Sequence, residues 1–236
     1  MDDSEIERVL CVMAHPDDVD FGLAGTIAQW TDAGIAVSYC MVTSGDAGGF
    51  DPSVPREQIA GIREREQRAA AAEVGVSDLR FLGFPDGRLE VSLELRCAIS
   101  RVIREVRPQR VVCQSPDRNW ERIYASHPDH LAAAEATMCA VYPDSRNPFT
   151  FAETIGDLEA WTVSEVWLTA PTNANHYVDI TSQFERKKKA LLRHESQISS
   201  AEDLHNILHF WNGGNAKQAG MPDGSYAEAF WAMSVL

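Results

Sequence analysis

Two short clusters hold the side chains whose types and spacing could do chemistry together. One is His15-Pro16-Asp17-Asp18, with Asp20 close behind; the other is Ser126-His127-Pro128-Asp129-His130. A catalytic zinc site commonly takes three protein ligands from His and Asp/Glu and leaves a fourth position for water. His15, Asp18 and His130 supply such a set, two of them local and one distant. Water held there falls in pKa from about 16 to about 7. Asp17 is then left over as a candidate base. His127 is left over to donate a proton, or to face a developing oxyanion as imidazolium. Asp129 could orient one of the imidazoles through its ring N–H. The same donors suit Fe(II) as well as Zn(II). Each cluster alone is also an ordinary connection, because Asp and Pro form turns and Asp caps helices. It is the pair of clusters that turns a turn into metal-assisted hydrolysis.

The elements that must position these residues are legible around them. Val9 to Ala14 is a short, branched apolar run, the pattern of a strand buried on both faces. It stops at His15, which places the first cluster past the C-terminal end of a strand, where open α/β sheets bind ligands. Phe21 to Trp30 reads as a helix ending near Ala33-Gly34. Asp17, Asp18 and Asp20 lie at its approach, where the helix dipole favours negative charge. Ile35–Thr43 is a second strand. Ser44–Pro55 is a long Gly/Asp/Pro loop, with Gly45, Gly48 and Gly49 giving it mobility. A helix over Arg56–Val74, a strand over Leu79–Leu82, a turn at Phe84–Arg88, a helix over Leu93–Val106 and a strand over Arg110–Gln114 follow. The second cluster precedes a helix over Leu131–Val141. This alternation predicts an α/β, Rossmann-like, mostly parallel sheet flanked by helices. Beyond about residue 143 the texture changes to an α+β extension. Strands are expected at Val163–Thr169 and Tyr177–Ile180, and helices at Phe184–His194 and Ala201–Ala219. Tyr226–Leu236 is a strand or a strand–helix hybrid. One domain, 1–236, is expected, with a β/α core over about 1–142.

Composition narrows the partners. The chain has 236 residues, 44% hydrophobic, with 21 Lys plus Arg against 35 Asp plus Glu for a formal charge of −14. Such a balance argues against sequence-independent nucleic-acid binding and against docking to an anionic membrane. No apolar run approaches a membrane span. The acidic start, Met1-Asp-Asp-Ser-Glu, is unlike the basic start of a secretory signal. The five cysteines are widely spaced with no Cys-x-x-Cys pair; Cys11, Cys40 and Cys113 lie in strand-like runs and read as small buried hydrophobes, and a cytoplasmic protein is expected. The oligomeric state, a homo-oligomer included, stays open. Arg186-Lys187-Lys188-Lys189 reads as a solvated face. His176 and His194 read as structural, and His205/His209 as a helix-face coincidence.

His-Pro-Asp-Asp-x-Asp-Phe at 15–21 with a following Gly, and His-Pro-Asp-His at 127–130, resemble the LmbE-like (PIG-L) family. That resemblance implies a zinc-dependent de-N-acetylase acting on N-acetylglucosamine conjugates and related amides, with the metal at the C-terminal edge of a Rossmann-like sheet. It implies ligands at His15, Asp18 and His130, a base at Asp17 and an assisting histidine at His127. Arg63-x-x-Glu66 matches a further family pattern in which the arginine contacts substrate hydroxyls; on the residues alone it is equally a solvated i,i+3 pair. Thr43, Asp86 and Phe184-x-x-Lys187-x-x-Ala190-Leu191-x-x-His194-x-Ser196-Gln197 are similar more weakly, and Asp86 is taken with Arg63 as substrate-binding. Asp20 stands where the family usually has Glu. Ala24-Gly25 replaces Gly-Gly, and Ala125 takes the place of a frequent tyrosine, with Tyr124 one position off.

The leading expectation is therefore a hydrolase that releases acetate or another small acid from an N-acylated amine, an amino-sugar conjugate first. A deacylase of a non-sugar natural-product amide, or a non-catalytic sugar- or metal-binding relative, would share the same site. A dinucleotide oxidoreductase would need Gly-x-Gly-x-x-Gly after the first strand, where His-Pro-Asp-Asp stands.

Overall fold

The computed structural model describes residues 3–49 and 51–236; Met1, Asp2 and Phe50 lie outside them, and with them the first two residues of the acidic start and one position of the Ser44–Pro55 loop. Seven strands are present: β1 (Arg8–Met13), β2 (Ala36–Thr43), β3 (Asp78–Phe84), β4 (Arg110–Gln114), β5 (Glu165–Thr169), β6 (His176–Asp179) and β7 (Ala227–Ser234). They form one sheet in the order β3-β2-β1-β4-β5-β7-β6. β1 to β5 run parallel, and β7 is antiparallel to both β5 and β6. Helices are α1 (Asp18–Asp32), α2 (Arg56–Glu73), α3 (Leu93–Val106), α4 (Pro128–Cys139), α5 (Ala152–Ile155), α6 (Phe184–Leu191) and α7 (Ala201–Gln218). This is the mostly parallel α/β sheet flanked by helices that the alternation predicts. Tyr226–Leu236 resolves as β7, and residues beyond 143 contribute β5, β6 and β7 to the same sheet.

The chain steps outward from β1 to β2 and β3, then returns to lay β4 on the other side of β1. The crevice of such a sheet opens where that reversal occurs, at the C-terminal ends of β1 and β4. β1 is held there by burial on both faces. Val9, Cys11 and Met13 pack into the core under α1 and α2, while Leu10, Val12 and Ala14 pack into the core under α3 and α4. Each fully buried aliphatic side chain of this kind contributes about 1.5–3 kcal/mol. The strand ends are also tied laterally. The Ala14 amide donates to Gln114 Oε1 (3.1 Å), and the Thr43 hydroxyl and amide both donate to the Ala14 carbonyl (2.9 Å each). His15 therefore starts from a floor that cannot shift along the sheet.

α1 begins at Asp18, three residues before the predicted Phe21, and it is broken at Leu23, whose φ of −156° and ψ of 20° are not helical. A break exposes helix-end carbonyls and amides that need partners. Lys187 Nζ donates to the Phe21 carbonyl (2.6 Å), and Glu228 accepts the amides of Gly25 (3.0 Å) and Thr26 (2.7 Å). Lys187 and Glu228 also pair with each other at 2.6 Å, with both side chains fully buried. A cation thus terminates the first half of α1 and an anion starts the second, the arrangement the helix dipole favours. Lys187 is consequently no part of a solvated face, contrary to the expectation for Arg186–Lys189. Gly25 is required for the same packing, since a Cβ there would lie 2.7 Å from Ile180 Cβ.

Candidate active site

The two clusters meet at the predicted crevice. His15 leaves β1, and the loop after β4 delivers Ser126–His130 through a short 3-10 turn (Ile123–Ser126) into α4. Pro128 stands in the first turn of α4, where a missing N–H costs nothing, so the helix starts earlier than Leu131. The His15 ring uses both nitrogens. Nε2 lies 3.0 Å from Asp86 Oδ1 and 3.3 Å from Asp129 Oδ2, while Nδ1 lies 3.3 Å from Asp18 Oδ2. Asp18 Oδ1 in turn meets His130 Nε2 at 3.1 Å. Asp129 is itself held by the amides of Gly87 (2.7 Å) and Leu89 (3.2 Å), and Asp86 by the amide of Ala47 (2.9 Å).

Asp86 is thus a direct partner of the His15 imidazole. With Asp129 it fixes the ring through Nε2 and turns Nδ1 toward Asp18. Burial opposes charge on His15, but Asp129, Asp18 and Asp86 outweigh it and push its pKa up to about 12. His130 is raised as well: burial opposes, Asp18 prevails. Burial works against the negative forms too, but the imidazoles hold Asp18 and Asp129 below the usual carboxylate range and Asp86 at about 2. The donor chemistry fits a divalent ion: ring nitrogens of His15, His127 and His130 lie within 4.8 Å of one another, with Asp18 bridging two of these residues. His15, Asp86 and Asp129 form a second such grouping. Because His15 Nε2 is already engaged by those two carboxylates, we take Nδ1 as the nitrogen available to an ion.

Asp17 differs from its neighbours. Its φ of 83° is left-handed, a conformation that costs a non-glycine residue about 1–3 kcal/mol. At the head of α1 its side chain caps no amide. Burial and the adjacent Asp18 charge raise its pKa to about 6, against the pull of Arg63. Arg63, only 5% exposed, donates from Nη2 to Asp17 Oδ2 (3.1 Å) and to the Pro16 carbonyl (2.6 Å), and from Nη1 to the Gly45 carbonyl (3.2 Å). Arg63 is therefore not a solvated helix pair; it grips the strained turn at Pro16–Asp17. Glu66 pairs elsewhere, accepting from the Ser196 amide and hydroxyl. The loop glycines have a correspondingly different purpose. A Cβ at Gly45 or Gly48 would sit 2.2 or 2.5 Å from Arg63 Nη1, so these positions admit a guanidinium rather than supply mobility.

His127 stands at the open side of the cluster. Its Nδ1 accepts the Asp129 amide at 3.2 Å, so that nitrogen carries no proton. Burial and the neighbouring His15 and His130 lower its pKa. Both favour a neutral ring with its proton on Nε2.

With this geometry the comparisons are specific. Residues 10–141 match the family described as PIG-L: GlcNAc-PI de-N-acetylase. A diacetylchitobiose deacetylase of Thermococcus kodakarensis is 34% identical over 195 residues, covering 83% of this chain and 72% of the relative. The chain belongs to the PIG-L family. A probable N-acetyl-alpha-D-glucosaminyl L-malate deacetylase 2 of Bacillus anthracis is 32% identical over 200 residues, covering 82% of each chain. The solved structure of N,N'-diacetylchitobiose deacetylase from Pyrococcus horikoshii, complexed with its inhibitor MPG, aligns with a TM-score of 0.89 at 30% identity, over 98% of this chain and 85% of that one.

The site also has a buried rear wall, in which the sequence assigned Gln67 no part. The Asp17 amide donates to Gln67 Oε1 (2.8 Å), Gln67 Nε2 donates to Asp20 Oδ2 (2.8 Å), and His194 Nε2 meets the same oxygen at 2.8 Å. Gln67, Asp20 and His194 are all fully buried. Gln67 lies one helical turn beyond Arg63, so α2 braces the Asp17 turn with two successive side chains. The signal available in the sequence was that i,i+4 spacing, together with the His-x-Ser-Gln stretch that contains His194.

Proposed function

We propose that this chain is a metal-dependent de-N-acetylase acting on an N-acetylated amino-sugar conjugate. His15, Asp18 and His130 hold the ion, Asp17 is the general base and His127 is the oxyanion donor. The observation that carries the reading is that a cation-seeking donor set and one carboxyl kept apart from it, Asp17, meet at a single strand end. A zinc ion held by those side chains would polarise the acetyl carbonyl and acidify water beside it; Fe(II) suits the same donors.

The remaining work falls to the protein's own groups. Asp17, ionised above its pKa and aimed by Arg63 and by the left-handed turn, accepts a proton from the water as its oxygen attacks the acetyl carbon. His127 Nε2–H donates to the carbonyl oxygen as negative charge grows there. Asp17 then returns the proton to the departing nitrogen as the C–N bond breaks, leaving acetate and the free amine. Among the described residues no helix is long and apolar enough to cross a membrane.

The test is amine release from N-acetylglucosamine and N,N'-diacetylchitobiose by zinc-loaded protein. Asp17→Asn is expected to keep its metal and to lose about 10²–10⁴-fold in kcat. Near wild-type turnover with metal bound would place the base elsewhere. Metal analysis of His130→Ala and His127→Ala separates the donor sets: the first should lose most of its ion, the second should retain it.

A further inference from the structure

The Asp17 amide sits on a left-handed turn and donates to Gln67 Oε1, while Gln67 Nε2 donates to Asp20 Oδ2, both at 2.8 Å. The order of those ends is forced by chemistry. A carboxylate only accepts, so the carboxamide must show it the NH2 group and keep its oxygen for the Asp17 amide. Reversed, Gln67 would set an oxygen against a carboxylate and an NH2 against an N–H. At a fully buried position neither lost bond is replaced by water.

Asp20 is itself set by His194. His194 Nε2 meets Asp20 Oδ2 at 2.8 Å and, facing a carboxylate, carries a proton. Gln67 and His194 therefore donate to the same oxygen. The other oxygen, Oδ1, is buried and has no hydrogen-bond partner among the described residues. Two donors from opposite walls hold the rotation of the carboxylate; with one removed, it is free to swing Oδ2 away from Gln67. His194 lies fully buried in the turn after α6, and its carbonyl accepts the amides of Gln197 (2.9 Å) and Ile198 (2.8 Å). That turn is gripped by the helix that carries Gln67, because Glu66 accepts the Ser196 amide (2.8 Å) and hydroxyl (2.6 Å). The circuit closes on α2: Gln67 to Asp20, to His194, to Ser196 and back to Glu66.

We infer that His194 is a positioning residue for Asp17. By holding Asp20 it fixes which end of Gln67 meets the Asp17 amide, and so keeps Asp17 in its left-handed turn. Calling Asp17 the base rests on the deacetylase reading; its positioning does not.

The experiment compares full-length, zinc-loaded wild type with His194→Phe, His194→Gln and Gln67→Met. His194 Nδ1 has no partner among the described residues, so phenylalanine removes only the bond to Asp20 and keeps a ring in place. Glutamine offers an NH2 group to the same oxygen. Hydrogen exchange of backbone amides is followed by NMR, and kcat and KM for N,N'-diacetylchitobiose are separated across pH. The Asp17 amide is expected to exchange about fivefold or more faster in His194→Phe and Gln67→Met, while the β1 amides keep their protection. kcat should fall about 10–100-fold with KM unchanged, and His194→Gln should recover most of both effects. Gln67→Met removes no charge, so its acid limb should stay at the wild-type position. Unchanged Asp17 exchange in His194→Phe overturns the inference, and so does equal loosening of Asp17 and β1, which would mark a merely structural loss. If Asp17 exchange responds as expected while Asp17→Asn turns over like wild type, the positioning stands and the base assignment fails.

Discussion

Replacing Arg63 by Met should change how the rate depends on pH rather than how tightly substrate binds. The guanidinium lies 3.1 Å from Asp17 Oδ2 and is buried. At that distance and an effective dielectric of about 20 the attraction is about 5 kcal/mol before desolvation is subtracted. Arginine neighbours typically leave an aspartate lowered by about 1–3 pH units. Asp17 stands at about 6 with Arg63 present and no ion beside it; an ion would lower it further. The sign follows directly. A base works as carboxylate, so kcat/KM falls as pH drops through its pKa, and removing a neighbouring cation raises that pKa. The acid limb of Arg63→Met should therefore move up by about 1–3 units. The deficit should therefore grow as pH falls through the shifted pKa and vanish well above it, with metal content unchanged. The assay is kcat/KM against pH on zinc-loaded wild type and variant, with kcat and KM separated. A pH-independent rise in KM alone would refute the reasoning and return Arg63 to substrate contact.

Three further outcomes follow from the same geometry. Metal uptake should release protons at pH 7, because His15 and His130 have raised pKa values and bind metal only when neutral; calorimetry in buffers of different ionisation heat that finds no release would contradict this. Gly45→Ala puts a Cβ 2.2 Å from Arg63 Nη1 at a φ of +67°, so it should cost about 1–3 kcal/mol and slow kcat while keeping metal; an unchanged denaturation midpoint and rate would show that Arg63 simply moves. Glu228→Gln leaves Lys187 buried without its counter-charge and should lose about 3–5 kcal/mol, partly recovered by adding Lys187→Met. A loss below about 1 kcal/mol in urea unfolding would mean that the pair is not what closes the break in α1.

Much of this was legible because the signals were local. β1 is apolar at every position from Val9 to Ala14, so its place inside the sheet follows from the sequence, and a His-Pro-Asp-Asp turn after it falls at the crevice. The second cluster announced itself by the same residue types before a helix. What could not be read were contacts across the sheet edge. Nothing local to Asp86 says that it meets His15, and Arg63-x-x-Glu66 looks like a surface pair because the partner of Arg63 lies 46 residues away at Asp17. Lys187 was misread for a related reason. Three cationic neighbours signal solvent, whereas the α1 break and Glu228 that bury Lys187 are 166 and 41 residues distant. The tautomer of His127 hangs on one backbone amide, a detail below the resolution of any motif.

The role of the C-terminal third follows from where its charges go. The first five residues of α1 carry Asp18 and Asp20, and the turn before them carries Asp17, so three acids crowd one short segment. That segment is separated from the rest of α1 by the break at Leu23. Left alone, little more than one turn of helix with crowded acids and open ends would not hold a conformation. Lys187 on α6 and Glu228 on β7 satisfy the groups freed by the break, and His194 just beyond α6 meets Asp20 at 2.8 Å. Gln67 then carries the connection from Asp20 to the Asp17 amide. The strained turn that aims the base is thus held from α2 on one side and from the C-terminal elements behind it. A β/α core ending near residue 142 would contain every proposed metal ligand and the α2 brace, yet lack the C-terminal side chains that support the turn from behind.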